Sequence, residues 1–242
     1  MPADRDRWLD LLLTANILKT TPRTGWYQRG VPAPEGVAAH SWGTAMVALT
    51  LAAMSDEPFD RGRVLAMAIL HDLAEAEVSD IPRLANRFLP EGAKATAEQA
   101  ALAEMLADLP VAGDWTALME DYKHEASPEA RLVRDADRLE FLLQAWVYRE
   151  TTGNLRLEQI RRAYTGRRFA NDSAQRLADA DPVHPSVRDR HLVRPVGLDD
   201  ARRGVQAHHG AQAIANGDDE LGIGHRGPPG VAVASDHRLD EH

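Results

Sequence analysis

The chain has 242 residues, of which 44% are hydrophobic, and a formal charge of −9. That is enough apolar material for one sizeable core. The negative balance works against a polyanionic partner such as a nucleic-acid polymer or an anionic membrane. With no cysteine in the sequence, disulfides, thiolate metal sites and cysteine nucleophiles are excluded, and any metal must rest on His and carboxylate ligands.

Residues 5–18 place Trp8, Leu9, Leu12, Leu13 and Ile17 at helical spacing, which predicts an amphipathic helix ending before Pro22. Residues 22–30 are rich in turn formers, and Pro32 and Pro34 keep the chain extended. That segment reads as a loop carrying Arg23 and Trp26. A buried helix is predicted over 35–54, with His40 near its polar start. No run reaches the ~18 apolar residues of a membrane span, and the charged N-terminus is no secretory signal, so the expected location is cytoplasmic.

Residues 61–78 predict a further helix bearing Ile69-Leu70-His71-Asp72-Leu73-Ala74-Glu75, with Asp80 just beyond it and Pro82 as its far limit. At about 100° per residue, His71, Asp72 and Glu75 fall on one arc of such a helix. Two adjacent polar side chains in an apolar helix need partners, because burying them alone costs several kcal/mol. Core hydrogen bonds or a salt bridge would meet that need, as would a metal.

Helices are expected over 93–109 and 114–123. Another begins at Ser127-Pro128-Glu129, with a capping serine, a proline at the first position and an early acid, and runs to about 151. It carries Asp137, which could pair with Arg134 or Arg138, or face the histidines. Helices over 155–164 and 172–179 follow, and no strand alternation of any length occurs. The expected fold class is all-α. Beyond about residue 185 aromatic residues vanish while Gly, Pro, Asp, Arg and His accumulate, so residues 1–185 read as one domain and 186–242 as a disordered tail.

The ordered set His40, His71-Asp72 and Asp137 resembles the signature of the HD-domain phosphohydrolase superfamily. The resemblance narrows with Pro22-Arg23-Thr24-Gly25-Trp26, Pro34-Glu35-Gly36-Val37-Ala38-Ala39-His40-Ser41-Trp42, and Asp80-Ile81-Pro82. These are similar to the HD-domain-containing protein 2 and YfbR-like 5'-deoxynucleotidases, over about residues 5–180. Two positions depart from that pattern: Ala39 stands where an acid usually precedes the histidine, and Ser79 replaces a glycine.

The resemblance implies a single helical HD-domain bundle that releases phosphate from deoxynucleoside 5'-monophosphates. One divalent ion (Co, Mn, Zn or Mg) would be held by His40, His71, Asp72 and Asp137. Glu75 would be the general acid/base, and Asp80 would orient water or substrate. Arg23 would bind phosphate as a guanidinium fork, and Trp26 would wall the sugar or base. The implied assembly is a homodimer. Hydrolysis of another phosphorylated nucleotide, or a non-catalytic metal-containing binding module, stays open on the sequence.

Overall fold

The computed structural model describes residues 2–164 and 168–180, with side chains from residue 6 onward except those of Arg161 and Tyr164. The tail expected from 186, and the boundary at 185, lie outside the described residues. Those that are described form helices and turns, with no strand among them and a lone bridge between Pro22 and Gly36.

Three helices make the centre. α1 is Pro2–Ile17, α2 Thr24–Tyr27, α3 Val37–Met54 and α4 Arg61–Leu70; α5 is Glu75–Val78, α6 Arg83–Asn86, α7 Ala93–Leu106, α8 Ala112–His124 and α9 Pro128–Thr152. α10 (Glu158–Tyr164) follows a 3-10 turn at Leu155–Leu157, and α11 is Asp172–Asp179. α3 lies against both α4 and α9. Small residues at the contact, Ala45, Ala48 and Ala52 on α3 and Ala130 and Ala136 on α9, let the backbones approach. Leu51, Val64, Met67, Leu132 and Val133 fill the remaining space and are almost wholly buried. Each such side chain contributes roughly 1.5–3 kcal/mol, and Leu132→Ala would cost about 2–5 kcal/mol.

α3 is long and apolar enough by composition to cross a membrane, which corrects the expectation that no such run exists. Its apolarity is that of a central helix: it is flanked by α4, α9 and α11 and carries His40, Ser41 and Thr44 buried. α9 starts as its sequence predicts. Ser127 Oγ accepts from Ala130 N at 3.0 Å with Pro128 at the first position, and Gly153 closes the helix at φ 69°.

Two further expectations need correction. The segment 22–30 is not loop throughout, because Thr24–Tyr27 forms one helical turn anchored by Trp26, which is 1% exposed and stacks on Phe141. Nor is 61–78 a continuous helix. α4 ends at Leu70, and the bonds Leu73 N to Leu70 O, Glu75 N to Asp72 O and Ala76 N to Leu73 O (3.0, 3.0 and 3.1 Å) span three residues instead of four before α5 begins. Such tightening eclipses side chains three apart, so Glu75 stands behind Asp72 rather than part of the way round an arc. The sequence reading also passed over α6 between Pro82 and Pro90.

The connection into α3 delivers Arg23. Arg23 N donates to Glu35 O at 3.0 Å, Val37 N to Thr21 O at 2.8 Å and Ala38 N to Leu18 O at 3.1 Å. A side chain at Gly36 would place its Cβ 2.8 Å from Lys19 O, so this close backbone approach needs glycine.

Candidate metal centre

The first turns of α3, the bend after α4 and the middle of α9 converge on one point. His40 Nε2 lies 3.4 Å from His71 Nε2, 3.1 Å from Asp137 Oδ1 and 3.7 Å from Asp72 Oδ2. His71 Nε2 is 3.2 Å from the same Asp72 oxygen. Ligand atoms of His40, His71 and Asp72 fall within 4.8 Å of one another.

The outer nitrogens settle what the inner ones offer. His71 Nδ1 faces Ala68 O at 2.8 Å and therefore donates to it; His40 Nδ1 faces Glu140 Oε2 at 2.5 Å, where a neutral ring also donates. Both Nε2 atoms then present lone pairs to each other beside two carboxylates. Such a cluster calls for a cation, either a proton or a metal. Burial alone would push His40 down, but Asp137 and Glu140 outweigh it and raise the ring to about 10. His40 itself is fully buried. Two imidazoles and two carboxylates are the donor set of a divalent ion, so the residues fit such a group.

Other charges are held in place around the cluster. Arg23 Nη1 pairs with Asp72 Oδ2 at 3.0 Å. Burial opposes the guanidinium charge, but Asp72, Asp137 and Asp80 more than offset it and hold Arg23 firmly protonated. Burial also works against the Asp72 carboxylate, yet His71, Arg23 and His40 draw it far below the ordinary range. Asp137 is similarly opposed by burial and lowered by His40 and His71 to about 2, and it accepts from Tyr122 Oη at 3.3 Å. Its contact with Arg134 is the longer one, at 3.9 Å.

Glu75 is 3% exposed. Its Oε1 is 3.5 Å from Lys94 Nζ, while Oε2 is buried with no hydrogen-bond partner. Burial first, then the charges of Asp72 and Asp80, push Glu75 well above the usual carboxylate range. It therefore carries a proton near neutrality. Asp80, on the extended stretch between α5 and α6, lines the same cavity.

Two chambers open on this point. The larger, about 650 Å³, is lined by Trp26, Asp80 and Phe141 and by the cations Arg23, Arg29, Arg83, Lys94, Arg134, Arg138 and Arg156. The smaller, about 310 Å³, lies between α7 and α8. Asp72, Glu75, Lys94, Arg134 and Asp137 border both. Of the eight residues singled out in the sequence, seven line one chamber or the other, and His40 sits behind them. Trp26 contributes little open surface, because Phe141 covers its face at 4.6 Å and Tyr148 meets it edge-on at 5.3 Å.

Glu140, Glu35, Lys94 and Tyr122 were not given roles by sequence. Glu140 had a legible signal, since it follows Asp137 by three residues and so shares its helix face. Glu35 accepts from Trp26 Nε1 at 3.3 Å and is pushed up to about 7 by burial and by Glu140. Lys94 and Tyr122 come from helices whose register against α4 and α9 only the fold reveals.

A family model described as an HD domain matches residues 15–176. The chain is 35% identical over 150 residues to the 5'-deoxynucleotidase HDDC2 of Danio rerio, covering 61% of this chain and 72% of that relative. It is 33% identical over 148 residues to the 5'-deoxynucleotidase hdd1 of Schizosaccharomyces pombe, covering 59% and 73%. Among solved structures, the PH0347 protein from Pyrococcus horikoshii OT3 is similar with a TM-score of 0.59 and 34% identity, over 69% of this chain and 94% of that one. A protein from Magnetospirillum magnetotacticum MS-1, described as a predicted metal-dependent phosphohydrolase, has a TM-score of 0.53 and 26% identity, over 73% and 91%.

Proposed function

The chain belongs to the HD-domain family, and from that premise we propose that it is a metal-dependent phosphohydrolase releasing phosphate from deoxynucleoside 5'-monophosphates. The observation that carries the reading is the meeting of two imidazole lone pairs with Asp72 and Asp137 beneath a chamber rimmed by arginines. The 5'-deoxynucleotidase relatives support the substrate class.

In this reading His40, His71, Asp72 and Asp137 hold one divalent ion of the Co, Mn, Zn or Mg type. When bound, such an ion supplies charge to offset the phosphate and lowers the pKa of water at the site. Arg23, fixed by Asp72, presents the rest of its guanidinium to phosphate oxygens and orients them. Glu75, protonated and with one oxygen uncommitted, hands its proton to the departing 5'-oxygen and is restored from solvent. Asp80 orients the attacking water from the chamber wall. Trp26 acts mainly by seating the Arg23 turn, through its packing on Phe141.

The proposal extends to a homodimer in the cytoplasm. Exposed apolar side chains at Leu9, Leu12 and Leu13 on α1 and at Trp42 and Met46 on α3 supply surface of the kind a second copy covers, and sedimentation of the purified protein checks this. The activity is tested with purified protein, each metal in turn and a panel of nucleoside monophosphates. Phosphate release from the deoxy forms is expected. Glu75→Gln should retain metal while turnover falls by about 10²–10⁴. A protein that releases no phosphate with any metal, or whose Glu75→Gln form is fully active, refutes the reading.

A further inference from the structure

Tyr122 is where α8 meets the ligand cluster. Leu118 and Tyr122, one turn apart, are the buried residues of α8, which packs on α4 and α9. The end of that helix is tied down beside the tyrosine. Asp121 accepts from Ser127 N at 2.8 Å and from Ser127 Oγ at 2.7 Å, and it pairs with Arg63. Glu125, at φ 51°, then closes α8. The ring that this corner fixes is held on two further sides. The Arg134 guanidinium lies 4.1 Å from its centroid, and His71 meets it edge-on with the ring centroids 5.6 Å apart. Its hydroxyl donates to Asp137 Oδ2 at 3.3 Å, and a phenol keeps its hydrogen near neutrality.

The two oxygens of Asp137 are thereby divided. Oδ1 faces His40 Nε2 at 3.1 Å, whereas Oδ2 has Tyr122 Oη at 3.3 Å and Arg134 Nη1 at 3.9 Å. A carboxylate can ligate a cation through one oxygen or through both. We propose that Tyr122 is a positioning residue that limits Asp137 to a single ligating oxygen. The assignment rests on the metal reading above and deepens it. With His40, His71 and Asp72 as the other ligands, an ion that favours octahedral surroundings keeps positions open for water and a phosphate oxygen. A second oxygen from Asp137 would occupy one of them. Tyr122 thus acts through Asp137 and not on the substrate itself.

The test loads the purified protein and its variants with one equivalent of Co(II) and records the visible d–d bands, which weaken as the coordination number of the ion rises. Tyr122→Phe is isosteric: it removes the hydroxyl and keeps the ring against His71 and Arg134. Its bands are expected to be weaker than those of wild type, because Asp137 is free to turn its second oxygen to the ion, and kcat is expected to fall by about ten-fold. Tyr148→Phe is the control. It removes a hydroxyl that accepts from Glu35 N at 2.7 Å, further along α9, and should lower the melting temperature while leaving the bands unchanged. An unchanged spectrum in Tyr122→Phe overturns the proposal and leaves the metal reading standing, and so does an equal change in Tyr148→Phe. A wild-type protein that takes up no Co(II) overturns both.

Discussion

Gly43→Ala should destabilise this protein and weaken its hold on metal, although a glycine in mid-helix is ordinarily improved by alanine. Gly43 lies on α3, three residues after His40, and faces Glu140 on α9. A Cβ there would come within 2.9 Å of both Glu140 Cγ and Oε1 and 3.2 Å of Cδ. Glu140 cannot swing away freely, because it is buried and its Oε2 holds His40 Nδ1 at 2.5 Å. The favourable part of the change is the helix propensity gained, about 1 kcal/mol. Against it stands displacement of a charge-assisted hydrogen bond, worth about 1.5–3 kcal/mol. The net is a loss of about 1 kcal/mol, or a melting temperature lower by about 2–4 °C.

The sharper reading comes from metal binding. A carboxylate on the far nitrogen keeps a ligating imidazole in the right tautomer and raises its basicity, and losing such support weakens metal affinity by about 10–100-fold. Isothermal titration of the apo protein with Zn(II) or Mn(II) measures this directly, with thermal melts in parallel. A Gly43→Ala protein that melts higher than wild type and binds metal equally well would refute the inference that the glycine exists to admit Glu140.

Arg23→Lys should lower kcat/KM by about 10-fold or more, since a lysine keeps the charge but loses the fork that spans Asp72 and a phosphate; steady-state kinetics with saturating metal check it. Asp137 is lowered to about 2 in the fold. Its contribution, about 2 kcal/mol, is therefore present above its ordinary value near 4 and lost as pH falls through about 2. Melts of chelator-treated wild type from pH 6 to pH 2 should fall more steeply than those of Asp137→Asn, and equal slopes would contradict the assignment. Ser79 has φ 61° and ψ 165°, a region that strains any residue but glycine by roughly 1–3 kcal/mol. Ser79→Gly is expected to raise the melting temperature by a few degrees, and a drop would count against it.

Much of the bundle is legible in the sequence because its helices announce themselves. Ser127-Pro128-Glu129 and Gly153 bracket α9 by capping chemistry alone, and the apolar run after Ala45 marks α3 as central. His71 and Asp72 stand out because they are polar where the pattern expects hydrocarbon, and His40 and Asp137 join them through the order of the set, which resembles the HD signature. Lys94 and Tyr122 do not stand out. A lysine and a tyrosine are ordinary on helix surfaces, and only the packing of α7 and α8 turns them inward. The turn at Thr24–Tyr27 was hidden for a different reason. Its stability comes from Trp26 lodged against Phe141, Tyr148 and Leu157, a tertiary effect that overrides the turn-rich composition.

The break after Leu70 ties these strands together. In an unbroken α-helix, His71 and Glu75 would share one face four residues apart, and Asp72 would lie about 100° away. The three-residue winding from Leu70 to Ala76 instead lines up Asp72 with Glu75, so a single turn presents a carboxylate to the imidazoles and a protonated acid just behind it. Beyond α5, Ser79 takes a positive φ, and Asp80 and Ile81 after it line the larger chamber. The strain at Ser79 and the buried, unpartnered oxygen of Glu75 are both destabilising locally. The α3–α4–α9 core beneath them, closed by fully buried Val64 and Met67, is what holds that geometry in place. On the proposed mechanism the ligand cluster rests on that core while the strain lies beside the proton donor, so Met67→Ala is expected to lower both the melting temperature and turnover, which thermal melts and steady-state kinetics check.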